Sequence, residues 1–199
     1  LELTEPLLPL WLKLAYSLFV AITLPIYWLK YGPRNFLWFS DIALFATAAA
    51  LWLENALLAS MMALAILIPE VVWNLSFFGA LLLGRPVAGL ADYMFDRNKP
   101  RYLRALSLFH VFLPLLLLWL VWRLGYDPDA LMAQTVLSCL LLPLTYRLTD
   151  PETNINWVYG PFGRPQRRLP PGVYLVLVML FFPLMIYLPT HLFLNWLMG

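Results

Sequence analysis

Long apolar runs constrain this chain more than any other feature. A helix needs roughly 20 mostly apolar residues to cross a bilayer, and backbone groups in hydrocarbon must bond within a helix or a closed barrel. The sequence holds six such runs, at about 10–30, 35–53, 56–83, 102–124, 129–147 and 171–196. Of its 199 residues, 62% are hydrophobic and only 12% charged, where a soluble domain carries about a quarter. The runs predict an all-α polytopic membrane protein, residues 1–199 forming a single bundle of six transmembrane helices. One cysteine, Cys139, leaves no partner for an intramolecular disulfide or a CxxC metal site. Two histidines argue against a His-rich metal cage.

Charge placement orients the runs. Of 13 Lys and Arg, all but Lys13 and Arg123 fall in or beside the loops after the first, third and fifth runs. The positive-inside rule puts those loops in the cytoplasm and both termini outside. The nine Trp fall mostly near run ends, as an interfacial aromatic belt would. Five runs contain proline, which removes an N–H and frees the carbonyl four residues back; Pro114 frees that of His110 and Pro143 that of Cys139. The second run lacks proline. Its Ala43, Ala46, Thr47 and Ala50 follow helical spacing and form a small-residue face, so this helix is expected at the bundle centre.

Asp41, Glu70 and His110 are ionisable groups inside apolar runs, and each is a functional candidate because hydrocarbon penalises them. At about 1.5 Å per residue, Asp41 lies roughly 10 Å in from Arg34 and His110 roughly 9 Å in from Arg104. Glu70 and Asn74 share a face at i, i+4; Ser107 and His110 share another; Gln134, Ser138 and Thr145 form a stripe beside Tyr146. The cluster predicts a polar, cytoplasm-facing pocket lined by Glu70, Asn74, Ser107, Ser138 and Tyr146. Within it, His110 is the expected base, Asp41 the acid that fixes its tautomer and Ser40 the nucleophile, with Thr47, Ser107 and Ser138 as other hydroxyls. Ser40 and Asp41 are adjacent and point about 100° apart, so a dyad fits better than a triad. Asp41, Glu70 and His110 could also ligate a metal, but no HExxH-type spacing supports that and none is assigned. His191, with Tyr187 and Asn195 on its face, reads as an interfacial, solvated histidine.

Two basic-side loops remain. Residues 85–101 mix apolar and acidic groups around Leu90, Tyr93, Met94 and Phe95, which suits a short interfacial helix. Residues 149–171 hold Pro and Gly at 161, 163, 165, 170 and 171, which enforce turns and predict a structured cap. Arg164, Arg167 and Arg168 on it are expected to attract lipid phosphates. Asp150, Glu152, Asn154 and Asn156 do not have EF-hand spacing.

The segments YGPRNFLWFSDIALF (31–45), RALSLFHVFLP (104–114) and LTDPETNINWVYGPFGRPQ (148–166) make the whole chain resemble a family of bacterial six-span membrane-associated proteins without an assigned activity. That likeness implies a bacterial inner membrane. Spans two and four are also similar in layout to the androgen-induced integral-membrane threonine hydrolases, six-span enzymes that cleave fatty-acid esters with a threonine in span two and a histidine in span four. His110 in LFHVFLP matches the histidine; the threonine position falls on Trp38, and Ser40 is the nearest hydroxyl, half a turn on. The expectation is a lipid-handling protein, an ester hydrolase or acyl-transfer enzyme. A non-enzymatic lipid- or cofactor-binding subunit of a larger membrane complex is the alternative, and a small proton-coupled transporter a second one, against which stands the lack of an inverted repeat. Membrane lipids and other membrane subunits are the expected partners; no nucleic acid is expected, and no cofactor is assigned.

Overall fold

The computed structural model describes residues 7–87 and 89–198. Its helices are α1 (Leu10–Tyr31), α2 (Phe39–Leu53), α3 (Ala56–Leu83), α4 (Arg101–Leu106), α5 (Phe109–Leu124), α6 (Ala130–Leu148), α7 (Pro171–Phe181) and α8 (Leu188–Met198), with a π-helical stretch at Phe182–Tyr187 joining the last two. Five helical stretches are long and apolar enough to cross a membrane: Leu10–Tyr31, Ala56–Leu83, Arg101–Leu124, Ala130–Leu148 and Pro171–Met198.

The expected second span is the exception. Helix α2 starts at Phe39, not near residue 35, and has 15 residues. Gly32, at φ 78°, ends α1 in a conformation that suits glycine, and Pro33 opens a five-residue 3₁₀ turn, Pro33–Leu37. Trp38 is extended and caps α2. Asp41 therefore sits in the first turn of α2, and a depth reckoned along one straight helix from Arg34 does not apply to it. The expected fourth span bends at Ser107–Leu108, between α4 and α5. Pro69 leaves α3 helical over 28 residues, and Pro183 coincides with the π-helical stretch.

Cross-chain bonds define two ends of the bundle. At one end Lys13 pairs with Glu54 at 2.7 Å, Arg123 Nη2 donates to the Leu7 carbonyl at 3.0 Å and the Asp127 N–H donates to Ser60 Oγ at 3.0 Å. At the other, Arg34 pairs with Asp150 at 2.7 Å and Lys99 lies over the rings of Tyr31 and Tyr93. The loops that carry Arg34, Lys99 and Asp150 meet at the second end. Helix α3 is the hub, packed on α2, α5, α6 and the π stretch. The small face of α2 accounts for this in part: Ala43, Thr47 and Ala50 are fully buried, which lets the helices approach closely.

The loop at 149–170 is structured as its turn residues predict. Asn156 Nδ2 donates to the Leu37 carbonyl at 2.7 Å, and its Oδ1 accepts from the Phe39 N–H at 3.0 Å, so the loop clamps the start of α2. Asn154 Nδ2 donates to the Gly160 carbonyl, and its Oδ1 accepts from the Tyr159 N–H. The two asparagines are thus backbone anchors rather than cation ligands. The 85–101 loop forms a 3₁₀ turn, Asp92–Met94, rather than an interfacial α-helix. It lies against α3, where Ser76 Oγ bonds the Val87 carbonyl and accepts from the Ala91 N–H. Gly79 permits this approach: a Cβ there would meet Val87 at 3.2 Å.

Candidate functional site

The three ionisable residues of the apolar runs do not pair as the sequence suggested. His110, in the first turn of α5, places Nδ1 2.8 and 2.9 Å from the two carboxylate oxygens of Glu70 on α3. Asp41 is not its partner; that carboxylate accepts a 2.5 Å bond from Asn35 Nδ2 in the 3₁₀ turn. The physical reason lies in the late start of α2. It puts Asp41 at the third helical position, where an amide from the preceding turn reaches it, while the α3–α5 packing brings Glu70 to His110. Asp41 remains buried.

The dyad is tightly held. Glu70's side chain is 3% exposed and that of His110 15%. Trp73, one turn along α3 from Glu70, stacks on the imidazole with centroids 4.6 Å apart, and Phe109 covers it at 4.1 Å. Pro114 denies the His110 carbonyl its helical donor, and Asn74 Nδ2 supplies one at 2.7 Å while also donating to the Glu70 carbonyl at 2.8 Å. The i, i+4 pair Glu70–Asn74 thus serves both the side chain and the backbone of His110. The Nε2 atom of His110 has no hydrogen-bond partner among the described residues. Trp73 Nε1 is buried and likewise lacks a partner.

Two tyrosines complete the neighbourhood, and the sequence reading missed the roles of both. Tyr27 of α1 bonds Ser107 Oγ at 3.1 Å, and Ser107 also donates to the Leu103 carbonyl. Tyr93, on the 85–101 loop, places its hydroxyl near Ser107 and its ring near Trp73. Burial pushes the Tyr93 phenol well above its ordinary value, so it is a neutral hydroxyl near pH 7. The loop itself seals this side: Met94 and Ala91 bury against Trp73, and Arg104 Nη1 donates to the Met94 carbonyl. A tyrosine in a mostly apolar run and one in a loop carry no periodic signal; a shared polar level between them appears only once the helices are packed.

The remaining sequence candidates divide. Ser107 and Asn74 join the dyad's surroundings. Ser138 belongs to a separate buried group with Gln134 and Tyr187, where Gln134 Nε2 lies 3.4 Å from the Tyr187 hydroxyl. Tyr146 packs at 4.8 Å against Tyr159, whose hydroxyl donates to the Tyr146 carbonyl, so it supports the 149–170 loop rather than the dyad. Ser40 is half-buried and has no hydrogen-bond partner among the described residues. Arg164, Arg167 and Arg168 are exposed at the basic end, and of these Arg164 lines a groove of about 720 Å³. His191 is not simply solvated: Tyr126 bonds its Nδ1 at 2.7 Å and Asn195 its Nε2 at 2.9 Å. Among the described residues no three of His, Cys, Asp and Glu gather in a metal-holding group.

Comparison of the chain with protein-family models, curated proteins and solved structures finds no match.

Proposed function

We propose that the chain is a six-span membrane protein that handles lipid esters, with Glu70 and His110 as a general-base dyad near its basic end. The observation that carries the reading is the orientation of the imidazole: Nδ1 on a buried carboxylate, Nε2 without a partner. A carboxylate at Nδ1 holds the proton there, leaves the Nε2 lone pair free, and stabilises the imidazolium that forms when Nε2 takes a proton. In this reading Nε2 removes the proton of a hydroxyl as its oxygen attacks an ester carbonyl. The proton then passes to the departing alkoxide and leaves an acyl-serine; water, deprotonated by Nε2 in the same way, cleaves that ester, releases the fatty acid and returns the proton to the serine oxygen. Ser40 is the proposed nucleophile among the four hydroxyls that the sequence nominates. Ser107, Thr47 and Ser138 already donate to the carbonyls of Leu103, Ala43 and Thr135, and Ser40 has no such bond.

The six-span topology rests on length and charge. Helix α2 supplies about 22 Å of a hydrocarbon core of about 30 Å, and the alternation of basic and non-basic loops on either side of it supports the sixth crossing. The basic end faces the cytoplasm by the positive-inside rule, with both termini outside, in a bacterial inner membrane.

The test is ester turnover by purified protein in lipid nanodiscs. His110→Ala should lower it by about 100-fold or more while the protein keeps its elution profile and helicity. Unchanged turnover in that variant, or none in the wild type, contradicts the reading. The competing reading, a non-enzymatic lipid- or cofactor-binding subunit, is favoured by one observation. The grooves of about 720 and 300 Å³ at the basic end are not lined by Glu70, His110 or Asp41. Co-purification with other membrane chains at fixed stoichiometry would support it.

A further inference from the structure

The groove of about 720 Å³ lies between the two basic-end loops, with Gly89 and Asp92 on one wall and Pro161, Phe162, Gly163, Arg164, Pro165 and Gln166 on the other. Its volume is in the range of small-molecule sites. Two opposite charges, Asp92 and Arg164, line it, yet among the described residues they form no ion pair with each other or with any other group. Opposite charges that share a groove and leave each other unpaired are both available to a ligand.

The wall that carries Arg164 is built rather than loose. Trp157 and Phe162 hold left-handed φ values of 59° and 53°, which bulky residues rarely adopt. Side-chain and backbone bonds over-determine that shape. The Tyr159 hydroxyl bonds the carbonyls of Tyr146 and Thr149, the Tyr174 hydroxyl bonds that of Trp157, and the Gln166 N–H donates to the Tyr159 carbonyl. Gly160 is required for the last contact, because a Cβ there would overlap the Arg164 carbonyl. Gln166 has its amide committed to Arg168 and Leu169, so it shapes the wall and does not read a ligand. Phe162 is 64% exposed at the groove's edge, an apolar ring at the end where a membrane surface would lie.

We propose that this groove binds a zwitterionic phosphoethanolamine head group, the phosphodiester on Arg164 and the ammonium on Asp92, with Phe162 against the glycerol and upper acyl region. A phosphate alone would gain from Arg164 and be repelled by Asp92; a head group with both charges satisfies both. The same chemistry could arrive as a membrane phospholipid or as the soluble glycerophosphodiester. The proposal rests on the membrane reading of the fold and needs no catalysis by Glu70 and His110.

Native mass spectrometry of delipidated protein with equal phosphatidylethanolamine and phosphatidylglycerol tests it. Wild type should retain the zwitterionic lipid about five- to tenfold over the anionic one. Asp92→Asn should erase that preference, and Arg164→Ala should lower retention of both lipids. Equal retention of the two lipids by wild type, or a preference that survives both substitutions, overturns the assignment. In a second arm, displacement by glycerophosphoethanolamine would show a site open to the soluble diester. Its failure, with the Asp92→Asn effect intact, would show a site filled from the membrane; each supports head-group recognition. Ester turnover in the same samples is a separate readout, so loss of lipid preference and failure of the dyad are told apart.

Discussion

Replacing Glu54 by Gln should loosen the end of the bundle opposite the dyad. Glu54 sits at the left-handed C-cap of α2, and its carboxylate is shared by three donors: Lys13 Nζ at 2.7 Å and the N–H groups of Leu7 and Leu8 at 3.0 and 3.1 Å. One side chain thereby ties the entry of α1 to the α2–α3 corner. Lys13 is 8% exposed and Glu54 20%. Removing one partner of a buried ion pair costs about 3–5 kcal/mol, and the residual exposure of Glu54 lowers this to about 2–3 kcal/mol through water screening. In a chain of this length that is a fall in Tm on the order of 5–10 °C, readable by thermal unfolding in detergent. The Lys13 ammonium, aided by the Leu7 and Leu8 N–H groups, holds the Glu54 carboxyl below its ordinary value of 4.5. A folded-state value below the unfolded one means the stabilisation is fully present above about pH 4.5 and lost as pH falls through the lowered value. Wild type should therefore lose stability in acid, and Glu54→Gln should lack that component. Adding Lys13→Met to Glu54→Gln removes the stranded charge and should recover part of the loss. A Glu54→Gln protein that melts within about 1 °C of wild type, with the same acid profile, would refute the reasoning.

Three further outcomes follow from the loops and the topology. Asn156→Ala loses two backbone bonds at a residue with φ 50°, so it should cost about 3 kcal/mol, and Asn156→Gly about 1 kcal/mol less, measured by the same melts. Gly160→Ala forces the Arg164 carbonyl away and should abolish lipid retention in the groove while leaving helicity unchanged by circular dichroism. In a Cys139→Ser background, a single cysteine at 167 should react with an impermeant maleimide only from the cytoplasmic side, and one at 55 only from the other. Labelling of both from one side would break the six-pass orientation.

Element existence was readable because membrane spans announce themselves by length and apolarity. The ends were less readable. The Gly32-Pro33 pair carried the signal that the second run begins with a turn, yet an apolar stretch from Phe36 onward, broken early only by Ser40 and Asp41, concealed it. The freed carbonyl behind Pro114 was legible from the four-residue rule, but its partner, Asn74, sits 36 residues away and required the α3–α5 packing. The same packing decided the site. Depth and charge favoured Asp41 as the partner of His110, and the local start of α2 gave Asp41 to Asn35 instead. Tyr27 and Tyr93 could not be singled out, since a hydroxyl shows its role only through its neighbours. The asparagines of the 149–170 loop carry positive φ values that a sequence does not display, and those values turned them from apparent ligands into anchors.

The central claim is that Glu70 and His110 form a chemical pair rather than only a bond between two helices. Glu70→Gln separates these most directly, because the amide oxygen can still accept from Nδ1 and preserve the packing, while the charge that supports the imidazolium is gone. Lipid-ester turnover by the wild type and the Glu70→Gln protein, compared at equal Tm, is the measurement. The account predicts a fall of about 10²- to 10⁴-fold with the fold intact. Equal turnover in the two proteins, or none in either, would contradict it.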